Sequence, residues 1–469
     1  MIFNSIEFLL FAIGFFLLWP FLGKRSISRW TFITLASFFF YGWWDWRFLF
    51  LILASGLIDY FCALAIENRP KNRKLFFALS LIGNLGALSV FKYSKFFATV
   101  LEDTFATFNY KVDLVEQIPE FALILPVGIS FYTFQSLSYT IDVYRGRLKP
   151  TRNILHFFSY LSMFPQLVAG PIIRAKDFLT QLNRYRVTNY LEKWNAIKMI
   201  AFGLFQKMVI ADNLSLFIDS AFEGKSGFEG TAYWWVVMVA FSFQIYADFS
   251  GYSLIARGLA KYMGYHFRMN FNHPYLSKSL REFWTRWHIS LSTWFRDYVY
   301  IALGGSRRGI VMGLIALAIT MMLSGLWHGA KYTFLIWAAI HVVLLIFERL
   351  TNWTKLFRKS PLLIPIIFAQ ALVAWVYFRA DNVAQGNQII NDLFSYSESN
   401  LAFYDIYYDS IFFLGLAVLI EFFVYLRKNY AAVKMWYWHS NLDVVLVSLA
   451  IISILFLRGE GKQFIYFQF

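Results

Sequence analysis

Two histidines lie in segments whose other residues suit a reaction at membrane depth. His328 follows the apolar run of residues 309–327 and is flanked by Ser324, Gly325 and Gly329, small residues that let helices or a substrate approach closely. His288 lies within residues 281–303, which read as one amphipathic, in-plane helix. Ionisable side chains at membrane depth are costly, so both histidines are candidate functional residues.

The predicted in-plane helix has an aromatic face and a polar face. At helical spacing, the aromatic face carries Trp284, Trp287, Leu291, Trp294 and Tyr298. The polar face carries Arg281, Thr285, His288, Ser292 and Arg296. If this helix packs near residues 327–331, the imidazoles of His288 and His328 would face one cavity.

A pair of desolvated imidazoles could catalyse acyl transfer. Desolvation lowers the pKa of an imidazole, so the ring is neutral near pH 7 and able to accept a proton. One of the two could act as a general base, which removes a hydroxyl proton as the oxygen attacks an acyl carbon and contributes about 10² to 10⁴ in rate. The other could polarise the acyl carbonyl or stabilise the developing oxyanion. The alternative is that each ring only donates an N–H to a backbone carbonyl.

The other ionisable residues give weaker signals. His341 has only apolar neighbours and is predicted to be structural, whereas segment-end positions favour surface or interfacial roles for His156, His266, His273 and His439. Asp248 either caps the following helix or has a functional role. The sequence has no H-E-x-x-H, no G-x-S-x-G and no glycine-rich phosphate loop, so we expect no metal site and no bound cofactor.

The composition predicts an all-α, polytopic integral membrane protein. Of its 469 residues, 59% are hydrophobic, and the mean hydropathy is +0.51. The apolar runs lack the alternation of barrel strands, so helices are expected, with about 11 to 13 spans. Predicted spans are residues 6–22, 30–46, 48–66, 75–92, 121–141, 196–219, 232–249, 309–327, 331–350, 361–378, 411–426 and 442–457.

The charge pattern predicts the orientation of these spans. The net charge of +15 arises from Lys and Arg clusters, such as residues 23–29, 67–74, 145–152 and 427–434, which fall between alternate spans. Such loops are typically cytoplasmic, so the N-terminus is predicted to be extracytoplasmic. Residues 154–174 are interrupted by Pro165, Gly170 and Pro171 and read as a re-entrant element. We expect one integral membrane domain over residues 1–469.

Basic and aromatic residues near His288 could bind an acyl donor. Arg281 and Arg286, with Arg296, Arg307 and Arg308, could hold the phosphates of a nucleotide-linked donor. Lipid-headgroup anchoring is the alternative role for these arginines. Trp284 and Trp287, together with Trp327, would be consistent with a narrow cavity.

Seven segments of the chain form a recognisable series: SFYTFQSLSYTIDVYRG, FPQLVAGPIIR, YADFSGYS, NFNHPY, REFWTRWHISLSTWFRDYVYIALGG, LSGLWHGA and the terminal FIYFQF, with the core between residues 121 and 379. Together and in this order they resemble the membrane-bound O-acyltransferase (MBOAT) family, nearest to its bacterial alginate and polysaccharide O-acetyltransferase branch. The resemblance implies a helical bundle with a central tunnel, in which His328 is the catalytic histidine and His288 is the second active-site histidine. With the resemblance, His328 is the predicted general base, and His288 is predicted to polarise or orient the acyl carbonyl.

The resemblance also implies what the chain acts on. An acyl group, acetyl in the polysaccharide branch, would pass from cytoplasmic acetyl-CoA to hydroxyls of an exported glycan, directly or through a periplasmic SGNH-hydrolase-like acetyltransferase. The protein would then lie in the bacterial inner membrane. A transporter or flippase of an acyl or lipid-linked glycan intermediate is the alternative, although such proteins favour repeated halves, which this sequence lacks. A scaffold, in which neither histidine is needed, is a third reading.

Overall fold

The computed structural model describes residues 1–429 and 442–465, and within them every regular element is helical, with no strand. The helices of the first part of the chain are α1 (Ile6–Leu22), α2 (Ser26–Gly42), α3 (Leu49–Asn68), α4 (Arg73–Leu88), α5 (Ser94–Thr107), α6 (Glu120–Leu123), α7 (Ile129–Tyr144), α8 (Ile154–Leu161), α9 (Phe164–Leu167) and α10 (Ala175–Leu182). They are followed by α11 (Tyr190–Phe205), α12 (Asp212–Phe222), α13 (Thr231–Tyr262), α14 (Leu280–Arg286), α15 (Ile289–Phe295), α16 (Ile310–His328), α17 (Tyr332–Thr351), α18 (Trp353–Leu356), α19 (Leu363–Arg379), α20 (Val383–Phe394), α21 (Phe403–Ile406), α22 (Tyr408–Asn429) and α23 (Leu442–Phe456).

Short helical turns of other types join several of these helices. Single π-helical turns occupy Ser89–Tyr93, Gln206–Ala211 and Arg296–Tyr300. Short 3₁₀ turns occupy Trp46–Phe48, Pro70–Asn72, Pro274–Leu276 and Gly305–Arg308. π-Turns are rare and often occur at functional sites.

Within residues 1–429 and 442–465, six helical stretches are long and apolar enough to cross a membrane. They are Trp46–Asn68, Pro70–Thr107, Tyr190–Phe222, Ile310–His328, Tyr332–Thr351 and Tyr408–Leu426. The same residues include the shorter apolar helices Ile6–Leu22, Leu363–Arg379 and Leu442–Phe456. The prediction of an all-α, multi-pass membrane protein is confirmed. The exact number of crossings and the tunnel stay predictions, and most of the basic cluster at 427–434 lies outside the described residues.

The chain folds into two compact units, and the single-domain expectation stays a prediction. The first unit comprises Met1–Lys193 and Leu259–Arg268. Its segment 154–174 is buried and interrupted, as predicted: α8 ends at Leu161, and α9 begins at Phe164. A Cβ on Gly170 would overlap the backbone of Gln166, so only glycine allows the chain to turn back there.

One predicted span of the first unit begins later than expected. Hydropathy places a span at 121–141, but α7 begins at Ile129, after Gly128 with φ +76°. A Cβ at Gly128 would lie 2.8 Å from the carbonyl oxygen of Leu167. The break therefore follows from a left-handed glycine, which an apolar run does not reveal.

The second unit comprises Trp194–Gly258 and Met269–Phe469 and contains both candidate histidines. Its helices α11 and α13 approach closely at two glycines. A Cβ on Gly203 would lie 2.6 Å from the oxygen of Gly251, and a Cβ on Gly251 would lie 2.7 Å from the oxygen of Gly203. Small residues at such a crossing let two backbones touch. This crossing fixes the part of α13 that carries Asp248 and Phe249.

Candidate active site

His328 is the last residue of α16, and its ring is buried among aromatic side chains. The imidazole centroid lies 5.1 Å from the ring of Trp327, 5.1 Å from that of Trp337 and 5.3 Å from that of Phe378, in each case nearly edge to face. Only 4% of His328 is exposed. The helix ends there because Gly329 turns to extended backbone, with φ −162° and ψ 150°.

The small residues beside His328 serve the packing of α16 on α17. A Cβ on Gly325 would lie 2.7 Å from both the Cβ of Ala338 and the carbonyl oxygen of Phe334. A Cβ on Gly329 would overlap the ring of Phe334. The expected close approach is therefore present, and in this structure the approaching groups belong to the neighbouring helix.

We expect Gly325→Ala to destabilise the protein by about 1–3 kcal/mol, because the new methyl group would force α16 away from α17. Gly415→Ala is the matched control, since a Cβ at this α22 glycine meets nothing within 4 Å. The apparent melting temperature of the detergent-solubilised protein is the measurement. Equal melting temperatures for the two variants would contradict the close packing described for α16.

The structure corrects the single-helix prediction for residues 281–303. Helix α14 ends at Arg286, α15 begins at Ile289, and between them His288 has φ 41° and ψ 55°. Left-handed backbone at a non-glycine residue costs about 1–3 kcal/mol and marks many functional sites. The kink also moves His288 off the polar face. Arg281, Thr285 and Arg296 are exposed as predicted, but His288 is 0% exposed.

The imidazole of His288 packs among aromatic rings. Its centroid lies 4.6 Å from that of Phe249, nearly edge to face, 5.9 Å from Trp327 and 6.4 Å from Phe271. Burial lowers the pKa of His288 from the ordinary 6.5 to about 3, so the ring is neutral throughout the physiological range. A neutral ring is the form required for accepting a proton.

Trp327 lies between the two candidate histidines. Its indole contacts His288 at 5.9 Å and His328 at 5.1 Å, measured between ring centroids. The sequence separates the two histidines by one kinked segment and a membrane-spanning helix, yet the second unit brings both to one indole. That both rings face one cavity stays a prediction.

Asn270 is a polar contact of His288 that sequence reasoning missed. Its Oδ1 lies 3.2 Å from His288 Nδ1, and the side chain is almost fully buried. The sequence signal that could have indicated Asn270 is its position in the segment NFNHPY, which also contains His273. His273 instead pairs through Nδ1 with Glu421, at 2.7 Å.

The four predicted donor-binding residues differ in burial, from an exposed arginine to a fully buried tryptophan. Arg281 is exposed, whereas the Arg286 guanidinium donates to Glu282 at 2.6 Å. Trp287 is fully buried, with its ring 5.1 Å from Trp375.

Trp284 connects this segment to the surroundings of His328. Its ring lies 5.8 Å from Trp337, which contacts His328, and 5.1 Å from His341. His341 is buried between Trp284 and Trp337, as its apolar neighbours predict. The remaining histidines lie elsewhere: His156 Nε2 contacts the oxygen of Leu179 at 3.0 Å, His266 is exposed, and His439 lies outside the described residues.

Asp248 belongs to a buried ionic cluster, and of the two roles that the sequence left open, that of a helix cap is wrong. It lies inside the continuous helix α13, where no N-terminal amides need a cap. The ammonium of Lys207 lies 2.8 Å from Asp212 Oδ1 and 3.0 Å from Asp248 Oδ1. Lys207 is in the π-turn Gln206–Ala211, which follows α11 and aims its side chain at α13.

The same cluster holds the C-terminal segment. The backbone amide of Ile465 donates to Asp248 Oδ2 at 2.7 Å, and Lys207 Nζ donates to the oxygen of Lys462 at 3.1 Å. Phe464 then packs 5.7 Å from Phe249, the ring that contacts His288. The segment FIYFQF is thus anchored beside the site at its first two residues, and its last four lie outside the described residues.

Comparison with known proteins assigns the family. Residues 147–384 match the MBOAT, membrane-bound O-acyltransferase family. The chain is 38% identical over 410 residues to the protein of Pseudomonas putida named "Probable alginate O-acetylase AlgI", covering 86% of this chain and 82% of that one. It is 32% identical over 417 residues to a Helicobacter pylori peptidoglycan O-acetyltransferase, covering 81% of this chain and 76% of that one.

A more distant relative has another acyl group in its name. The chain is 30% identical over 229 residues to a Streptococcus thermophilus teichoic acid D-alanyltransferase, covering 46% of this chain and 54% of that protein. The resemblance found in the sequence is confirmed, and the chain is an acyltransferase of the membrane. This protein belongs to the membrane-bound O-acyltransferase family.

Proposed function

We propose that this protein is an O-acetyltransferase of the bacterial inner membrane that acetylates hydroxyls of an exported polysaccharide, alginate-like or another cell-envelope glycan. The names of its relatives support acetyl transfer to envelope glycans. The observation that carries the site assignment is the placement of His288 and His328 in contact with one indole, that of Trp327.

In the proposed reaction, His328 is the general base. Its imidazole takes the proton of the acceptor hydroxyl as that oxygen attacks the carbonyl carbon of acetyl-CoA. The tetrahedral intermediate collapses, the carbon–sulfur bond breaks, and the imidazolium returns the proton to the departing thiolate. An O-acetyl ester and free CoA result. The acceptor hydroxyl belongs either to the glycan itself or to a periplasmic SGNH-hydrolase-like acetyltransferase that relays the acetyl group.

His288 is proposed to assist His328 by orienting a reactant beside Trp327. Its burial supports this role, because an imidazole held rigidly by aromatic rings and by Asn270 loses little freedom when a reactant binds. The N-terminus is proposed to be extracytoplasmic, which places the basic loops and the acetyl-CoA side in the cytoplasm.

The test of the function is the ester-linked acetate on envelope glycans in cells with and without the gene. We expect acetate to fall to background without the protein and to return with the wild-type chain. Unchanged glycan acetate would contradict the proposal. Loss of a glycan from the surface, with the acetate content per sugar unchanged, would instead indicate transport.

Arg281 is proposed to contact a phosphate of the donor, with Arg286 and the nearby rings of Trp284 and Trp287 completing the binding site. Arg281→Ala should raise KM for acetyl-CoA about tenfold, the value of one charge-assisted hydrogen bond. The kcat should change little. Arg47→Ala is the control, because Arg47 is exposed and its guanidinium pairs with Asp45 at 2.6 Å in the other unit. A KM equal to that of the control would remove Arg281 from the donor site.

A further inference from the structure

Asn270 contacts the kinked backbone around His288 through both its main chain and its side chain. Its carbonyl oxygen accepts a hydrogen bond from the Ile289 amide at 2.9 Å. Its side-chain Oδ1 accepts from the Ser290 amide at 3.1 Å and from Ser290 Oγ at 2.9 Å. Three consecutive residues at the start of α15 are therefore held by this one asparagine, since His288 Nδ1 also contacts Oδ1.

The orientation of the Asn270 amide follows from its partners. A backbone N–H can only donate, so the atom that contacts the Ser290 amide must be an acceptor and is therefore the oxygen. On the other side, Nδ2 donates to Ser253 Oγ at 3.2 Å. The two contacts agree, and a flipped amide would set two donors against each other.

The tautomer of His288 follows from that orientation. Because Asn270 Oδ1 is an acceptor, the ring nitrogen 3.2 Å away must carry a hydrogen, so Nδ1 is protonated. A neutral imidazole carries one N–H, and the lone pair is then on Nε2. In an imidazole, the hydrogen bond made by one ring nitrogen sets the protonation of the other.

We propose that Asn270 is a positioning residue that fixes His288 as its Nδ1–H tautomer, so that Nε2 accepts a hydrogen bond from a hydroxyl of the acceptor substrate other than the one that His328 deprotonates. This inference rests on the proposed function, which places His288 at the site of acyl transfer. Both roles predicted for His288, polarising or orienting the acyl carbonyl, need a donor at Nε2. The Nδ1–H tautomer leaves an acceptor there, so His288 instead orients the acceptor substrate beside the hydroxyl that His328 deprotonates.

Asn270→Leu is the direct test, because leucine has a similar volume and no acceptor. The readout is the ¹⁵N spectrum of histidine-labelled protein in detergent, with the His288 signals identified by their loss in His288→Gln. In the wild type we expect protonated Nδ1 and unprotonated Nε2. In Asn270→Leu we expect both tautomers and a kcat lower by about 10- to 100-fold, as for other residues that orient a functional histidine.

Asn270→Asp separates positioning from a purely structural role. The new carboxylate keeps an acceptor at the same place, so it should restore the Nδ1–H tautomer and more activity than leucine allows. Its negative charge favours the imidazolium, so the pKa of His288 should rise and the acidic limb of the pH–rate profile should move to higher pH. Equal losses in the Leu and Asp variants, with neither spectrum nor pH profile changed, would overturn the proposal.

Asn382→Ala provides the matched control for lost stability. Asn382 caps α20 through a hydrogen bond from the Gln385 amide at 2.9 Å, in the same unit. Its loss should lower stability but leave the His288 tautomer as in the wild type.

Different results contradict the role of Asn270 and the proposed function. If the His288 tautomer is unchanged in Asn270→Leu, the role of Asn270 is overturned, whatever the activity of that variant. If His288→Gln acetylates at the wild-type rate, His288 takes no part in the reaction, but the tautomer measured in the spectrum remains valid.

Discussion

Replacing His328 with alanine is expected to lower acetyl transfer by about 10² to 10⁴, the usual contribution of a positioned general base. The physical reason is that the acceptor hydroxyl must lose its proton as it attacks, and an alanine methyl group cannot take it. The measurement is the rate of ester formation from labelled acetyl-CoA, per folded protein, in proteoliposomes. His328→Gln should be similarly inactive, because an amide is not a base at neutral pH.

Two further variants distinguish loss of the base from loss of folded structure. The glutamine variant keeps most of the volume among Trp327, Trp337 and Phe378, so it separates loss of the base from a cavity. His266→Ala removes an exposed histidine from the other unit and should retain wild-type activity. If either His328 variant transfers acetate at a rate near that of His266→Ala, His328 is not the base.

Lys207→Met is expected to destabilise the protein by about 3–5 kcal/mol, the usual cost of leaving buried charges without their counter-ion. Asp212 and Asp248 would remain almost fully buried with no cation between them. We expect little folded protein in the membrane and release of the C-terminal segment, which Asp248 and Lys207 both bind. Thermal unfolding followed by tryptophan fluorescence is the measurement.

Two further variants test the origin of this loss. Lys207→Met combined with Asp212→Asn and Asp248→Asn removes all three charges and should recover most of the stability. Lys198→Met breaks the more accessible ion pair of Lys198 with Asp443 and should cost at most about 1 kcal/mol. If Lys207→Met and Lys198→Met unfold at the same temperature, the buried cluster contributes no more than a surface pair.

Much of the fold could be predicted because bilayer-crossing helices have a direct signature. Runs such as 309–327 and 331–350 are continuous and apolar, and they appear as Ile310–His328 and Tyr332–Thr351. The interrupted element at 154–174 could be predicted as well, because Pro165, Gly170 and Pro171 fall within one short segment, where together they disfavour a continuous helix. His328 became a candidate because it follows such a run beside Ser324, Gly325 and Gly329, small residues that allow close approach.

The geometry of His288 could not be predicted, because hydrophobic periodicity assumes one continuous helix. The tertiary contacts of Asn270 stabilise a left-handed residue between α14 and α15, and those contacts join residues 18 to 20 apart in sequence. Left-handed backbone at a histidine has no compositional signal of the kind that glycine gives. Asn270 could not be predicted for the same reason, because its proposed role follows only from its tertiary contacts with residues 288 to 290.

The ionic cluster could not be predicted for a related reason. Lys207 stands in an otherwise apolar stretch, where a lysine usually extends its ammonium to the membrane interface. The π-turn at 206–211 instead directs it to Asp248, 41 positions away, and to the C-terminal segment. Long-range pairing of this kind is set by the packing of α11 against α13.

A double-mutant cycle on His328 and His288 tests most directly whether the two imidazoles act as one site. The measurement is the rate of ester formation for the wild type, His328→Gln, His288→Gln and the double variant, each per folded protein. Residues that act in one step have strongly non-additive effects, so the double variant should be no slower than the slower single variant. Two losses that simply multiply, or a single variant with wild-type rate, would contradict a shared reaction centre around Trp327.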